Sequence, residues 1–86
     1  MTMMNSDSDM RRRVLNVLIE VVPGIPEDVS DETLLAPFGL NSMKQVDVMF
    51  GLEDEFGIQV DEKDLSDDAF LTTGAVLSLV ERLQRA

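Results

Sequence analysis

The run Asn41-Ser42-Met43-Lys44-Gln45-Val46-Asp47-Val48-Met49-Phe50-Gly51-Leu52-Glu53-Asp54-Glu55-Phe56-Gly57 decides how this 86-residue chain folds. Wound at about 100° per residue, it puts Val46, Val48, Met49, Leu52 and Phe56 on one continuous arc, the pattern of a helix that buries one face. Asp47, Asp54 and Glu55 fall on the opposite side with Lys44 and Gly51. Met43 and Phe50 lie on the border. Together with Asp47 and Asp54 they make a stripe in helical steps of four, three and four. An apolar pair flanked by acids offers a partner an anchor and a steering charge. The competing reading from spacing is that Phe50 completes the core. Glu53 falls close to the apolar arc. Gly51 costs a helix about 0.5–1 kcal/mol relative to Ala, and its predicted face is open to solvent or a partner. Gly57 supplies the left-handed residue that closes the helix.

Upstream, Met10, Val14, Leu15, Leu18 and Val22 recur at helical spacing and predict a first helix over 9–22, after a polar tail over 1–8. Arg11-Arg12-Arg13 sits near the positive end of that helix dipole and reads as a solvated face, with a docking spot as the alternative. Pro23-Gly24-Ile25-Pro26 stops the helix. Residues 27–40 form a long connection, which Val29, Leu34, Leu35, Phe38 and Leu40 are expected to pin onto the core. Downstream, Ile58 and Val60 lead into an acidic segment, 61–68, with a short helical turn expected around Asp64 and Leu65. Thr72 or Thr73 caps a last helix carrying Val76, Leu77, Val80 and Leu83, with Arg82 and Arg85 in its final turn. Three main helices and one short one make an all-α fold, a small four-helix bundle occupying 9–86 as a single domain.

Composition narrows the chemistry. The chain has no Cys and no His, so thiolate chemistry, disulfides and the commonest general base and metal ligand are all missing. No metal site is expected, since residues 61–72 lack the alternating oxygen ligands, central Gly and closing Glu of a calcium loop. A formal charge of -10 repels nucleic acid and anionic membrane and favours partners with basic patches. Met1 to Asp9 does not read as a targeting peptide, and the expectation is a cytoplasmic monomer.

The start of the central helix is the chemically suggestive point. Asn41 and Ser42 are both good caps, and Ser42 with Gln45 fits a capping box. A capping Ser42 would have its hydroxyl tied to backbone amides. With Asn41 as the cap, Ser42 becomes the first helical residue and keeps a free hydroxyl where dipole and amides favour a phosphate ester. Spacing leaves both arrangements open.

The stretch Phe38-Gly39-Leu40-Asn41-Ser42-Met43, with Val46 and then Leu52-Glu53-Asp54-Glu55-Phe56-Gly57-Ile58, resembles the phosphopantetheine-attachment region of the acyl carrier protein family. The likeness runs from Leu34-Leu35 through Thr72-Thr73 into the last helix. It implies a 4'-phosphopantetheine arm held covalently on Ser42; of the two capping arrangements, the one expected beside it is Asn41 as the cap, which keeps the hydroxyl free. It also implies enzymes that recognise the second helix, which assigns contact roles to Met43, Asp47, Phe50, Glu53 and Asp54. Those partners are a phosphopantetheinyl transferase that uses coenzyme A, an acyl- or aminoacyl-loading enzyme, and downstream acyl-transferring enzymes. The carrier itself would catalyse nothing. Asn41 replaces the family's usual Asp, and Lys44 stands where fatty-acid carriers often have an acid. Both departures suggest a dedicated carrier of a specialised, polyketide-type pathway. The Gly-Gly-His-Ser signature of carriers embedded in peptide synthetases is absent, although some stand-alone aminoacyl carriers look like this chain. The alternatives are thus an aminoacyl or peptidyl carrier, and a carrier-fold subunit that is never modified.

Overall fold

Residues Ser6–Val21 form the first helix, α1, in the computed structural model, which describes residues 6–65 and 67–85. The helix begins three residues before the expected Asp9, so Ser6 to Ser8 belong to it and not to a tail; residues 1–5 lie outside the described part. Asp9 lies near the start of the helix, where the dipole favours acids. Val14, Leu15, Val17 and Leu18 are buried along one side, and Val22, one residue past the helix, still donates its N–H to the Leu18 carbonyl at 2.8 Å. The arginine trio is divided in its use. Arg11 pairs through Nε with Asp31 Oδ1 at 2.6 Å and donates from Nη2 to the Val29 carbonyl at 2.8 Å. Arg13 pairs with Glu55 Oε2 at 2.7 Å, donates to the Glu55 carbonyl at 2.8 Å, and lies over the Phe56 ring. The expectation of a solvated basic face therefore holds for Arg12 alone. Its neighbours are long forked donors that reach backbone carbonyls far along the chain, which position on a helix does not reveal.

The connection from Val22 to Asn41 is ordered by burial of Ile25, Val29, Leu35 and Leu40 and by a 3-10 turn over Ala36–Phe38. Gly39 follows that turn at φ 117°, a conformation open to glycine at little cost. Leu34 does not pin the segment as expected, because it is 51% exposed. Leu35 takes the buried place, and its N–H bonds the Leu71 carbonyl at 3.0 Å beside an antiparallel bridge between Leu34 and Thr72. In an extended stretch adjacent side chains point to opposite faces, so the two leucines cannot both turn inward.

The second helix, α2, spans Ser42–Phe56 and ends at Gly57 with φ 66°, whose N–H caps the Glu53 carbonyl. Two 3-10 turns follow, Glu62–Asp64 and Asp67–Phe70, where one short turn was expected. Arg82 reaches Asp64 at 3.2 Å and ties the first of them to the third helix. That helix, α3, covers Thr73–Arg85, and Thr72 caps it by accepting the Ala75 N–H on Oγ1 at 3.1 Å. Thr73 is fully buried and its hydroxyl has no partner among the described residues. Val14, Leu18, Leu35, Val48, Leu52, Phe70, Val76 and Val80 fill one core, with α1 packed against both other helices. Among the described residues the outcome is an all-α bundle of three helices, with short 3-10 turns in place of the fourth.

Two residues of α2 stand differently from the wheel reading. Val46 is 42% exposed although its arc pointed to the core. Gly51, expected to be open, faces α1 so closely that a Cβ would come within 2.8 Å of Val17 Cγ1. Val17 is buried and β-branched, so it has little freedom to retreat. Gly51→Ala should therefore destabilise the protein by about 1–2 kcal/mol, because overpacking outweighs the better helix propensity. In a denaturant titration, adding Val17→Ala should cancel much of the clash introduced at Gly51, leaving the pair less destabilised than the sum of the two single variants. A stabilised Gly51→Ala protein would show that α1 is not held against this glycine.

Candidate functional site

The N-terminus of α2 carries the serine singled out by the sequence. Asn41 has extended backbone angles (φ -128°, ψ -176°), and its Oδ1 accepts the Lys44 N–H at 2.9 Å. Its carbonyl accepts the Gln45 N–H at 2.8 Å, the first bond of the helix. The cap position is thereby occupied by Asn41, and the exposed Ser42 is left as the first helical residue with its hydroxyl outside the cap. Among the described residues the amides of Ser42 and Met43 remain as open donors of the first turn. No acid stands in that turn, and Lys44 adds a cation. In a chain of charge -10 this is a locally favourable place for an anion. A phosphodiester on Ser42 fits it. The hydroxyl is accessible, the dipole faces it with its positive end, and no carboxylate shares the turn.

The cap can be tested by substitution. Asn and Asp cap about equally well, whereas Ala loses roughly 1 kcal/mol. Asn41→Asp should hold stability within a few tenths of a kcal/mol, and Asn41→Ala should lower it by about 1 kcal/mol. Equal denaturation midpoints for the two variants would remove Asn41 from the cap.

Beyond Ser42 the helix carries an apolar stripe in solvent. Met43 is 80% exposed and Phe50 58%, and the exposed Val46 joins them. Asp47 and Asp54 are exposed beside it. Of the residues proposed from sequence, Met43, Asp47, Phe50 and Asp54 thus share one open face with Ser42 at its head. Glu53 differs. It is half-buried, and its Oε2 accepts the Val60 N–H at 2.8 Å, so its carboxylate serves the segment after α2. Val46 was missing from the sequence reading of this face. Its place at the edge of the apolar arc, next to Phe50, was the signal that could have found it.

Phe50→Ala should cost less than about 1 kcal/mol, as expected of an exposed side chain. Truncating the buried Phe70 should cost about 3–5 kcal/mol. Comparing the two by chemical denaturation checks the assignment, and a Phe50 loss as large as that of Phe70 would return Phe50 to the core.

Two depressions of about 550 and 320 Å³ are lined by α1 with Glu27 and by residues between Lys63 and Arg82, and neither includes an α2 residue. No helix among the described residues is long and apolar enough to cross a membrane. The family model described as phosphopantetheine attachment site matches residues 12–83, a span that begins within α1, ends within α3 and contains the whole of α2.

Proposed function

Because the chain belongs to the phosphopantetheine-attachment family, whose members hold the group covalently on a serine, we propose that Ser42 is the attachment point and that the α2 stripe is where partner enzymes dock. Among the group's contributions when bound is a terminal thiol, on which an acyl cargo is held as an activated thioester. Everything else rests on residues of this chain. In the transferase reaction Ser42 Oγ attacks the pantetheine-side phosphorus of the coenzyme A pyrophosphate; the P–O bond to the nucleotide breaks, adenosine 3',5'-bisphosphate leaves, and the serine proton passes to a base of the transferase. Asn41 keeps that hydroxyl free, and the Ser42 and Met43 amides with Lys44 stabilise the phosphodiester once made.

Met43, Val46 and Phe50 are apolar anchors, and Asp47 and Asp54 steer basic partners toward them. Family members of this kind work with a phosphopantetheinyl transferase and with acyl-handling enzymes. This carrier is not a catalyst in that scheme; it contributes presentation and partner choice. The cargo we propose is an acyl group of a specialised, polyketide-type pathway, as the Asn41 and Lys44 departures suggest. The single observation that carries the reading is an exposed serine hydroxyl left outside the cap at the head of an apolar and acidic helix face. Incubation with a phosphopantetheinyl transferase, magnesium and coenzyme A should add one phosphopantetheine mass, located by peptide mapping on Ser42. An unchanged intact mass would favour the unmodified-subunit alternative.

A further inference from the structure

Glu53 stands at a junction between the docking face and the segment that follows α2. It lies three residues after Phe50 and seven after Val46, on the same side of the helix. Its carbonyl accepts the Gly57 N–H at 2.9 Å, and its carboxylate accepts the Val60 N–H at 2.8 Å. One residue therefore holds both ends of the connection 57–60. Val60 itself is buried, yet it stands outside the contiguous core cluster, against which Ile58 and Leu65 pack. Past it, the Asp61 N–H is met by the Asp64 carboxylate at 3.3 Å and not by a backbone carbonyl. A segment whose Val60 and Asp61 amides are held by side-chain carboxylates, with a buried residue outside the main cluster, belongs to the part of a fold that opens at little cost.

From this we infer that the Glu53 carboxylate is a latch: a basic partner group seated on the α2 stripe takes it from Val60, and the released segment uncovers Val60 at the end of that stripe. The inference rests on the α2 face being the docking site. The partner chemistry it requires is a cationic side chain, guanidinium or ammonium, beside an apolar pocket for Phe50. A guanidinium, itself charged, can make two parallel bonds to a carboxylate where a backbone amide makes one. Docking therefore supplies the free energy that opening needs, and the apolar surface shown to the partner grows only once it is bound. Glu53 is in this sense a positioning residue, in contrast to Asp47 and Asp54, which act through field alone.

Amide hydrogen exchange followed by NMR tests the latch in two stages. In the free protein, Glu53→Ala should speed exchange at Val60 by about tenfold or more, the worth of a hydrogen bond to a charged acceptor. Val48, buried in the middle of α2, should change far less. Glu53→Gln, which retains an acceptor, should fall between. Unchanged Val60 exchange in Glu53→Ala would overturn the latch. The second stage uses Ser42→Ala, which cannot be modified, saturated with a phosphopantetheinyl transferase. Faster Val60 exchange in the complex supports the inference. Slower or equal exchange, as when the cation binds only the other carboxylate oxygen, overturns it. Absence of any shift in the Met43, Val46 and Phe50 amides would instead show that the stripe is not the docking face, so the two failures are told apart.

Discussion

Ser42→Ala should lose phosphopantetheine attachment completely while keeping the fold. The expected readout is an intact mass that stays at the apo value after incubation with transferase, magnesium and coenzyme A. Thermal or denaturant stability should stay within about 0.5 kcal/mol, as is usual for an exposed position outside a cap. Both halves follow from the geometry. The serine hydroxyl is no part of the capping bond, which runs from Lys44 N–H to Asn41 Oδ1, so its removal leaves that bond intact. Ala is also a good first residue of a helix. Ser30 and Ser78 are exposed as well, and each serves as a control. The Ser30 hydroxyl accepts the Glu32 N–H within a turn, and Ser78 lies in the middle of α3, away from any helix start. Replacing either by Ala should leave attachment at its normal extent. A modified Ser42→Ala protein would move the arm elsewhere and undo the functional reading at its centre.

Reversal of Asp47 and Asp54 to Lys should slow modification and acyl loading by about tenfold to a hundredfold at low salt, within the range that steering contributes to encounter. The same variant should show a much weaker salt dependence, because the screened attraction is what it has lost. The effect is one of place as well as of total charge. Reversing Glu27 and Asp28, two exposed acids of the long connection, changes the net charge equally but leaves the α2 face as it was. That control should lose far less rate. Similar losses in both double variants would mean that partners sense the overall charge of -10 and not this stripe. Since Asp47 and Asp54 are exposed and neither makes an ion pair within the protein among the described residues, stability should hardly change, which keeps the rate measurement clean.

Much of this arrangement is legible along the chain because several local signals coincide. Asn41 as a cap, a helical apolar period and Gly57 as a left-handed stop all delimit α2, and each depends on residues only a few positions apart. The same local logic exposes Ser42 as a candidate, since capping chemistry is confined to one turn. A helical wheel tells which side chains share a face, but not which sector its neighbours will cover. Gly51 lets α1 come close, and the sector turned toward that contact is buried while Val46, on the far edge of the apolar arc, is left in solvent. Leu34 and Leu35 were equal candidates until the bridge to Thr72 gave the buried place to one of them. Arg11 and Arg13 of α1 found partners 18 to 42 residues away, and Glu53 turned from the stripe to the Val60 amide. Such choices depend on the distance and angle between packed elements, quantities that emerge only when the whole core closes, because no single segment buries enough surface to impose them alone.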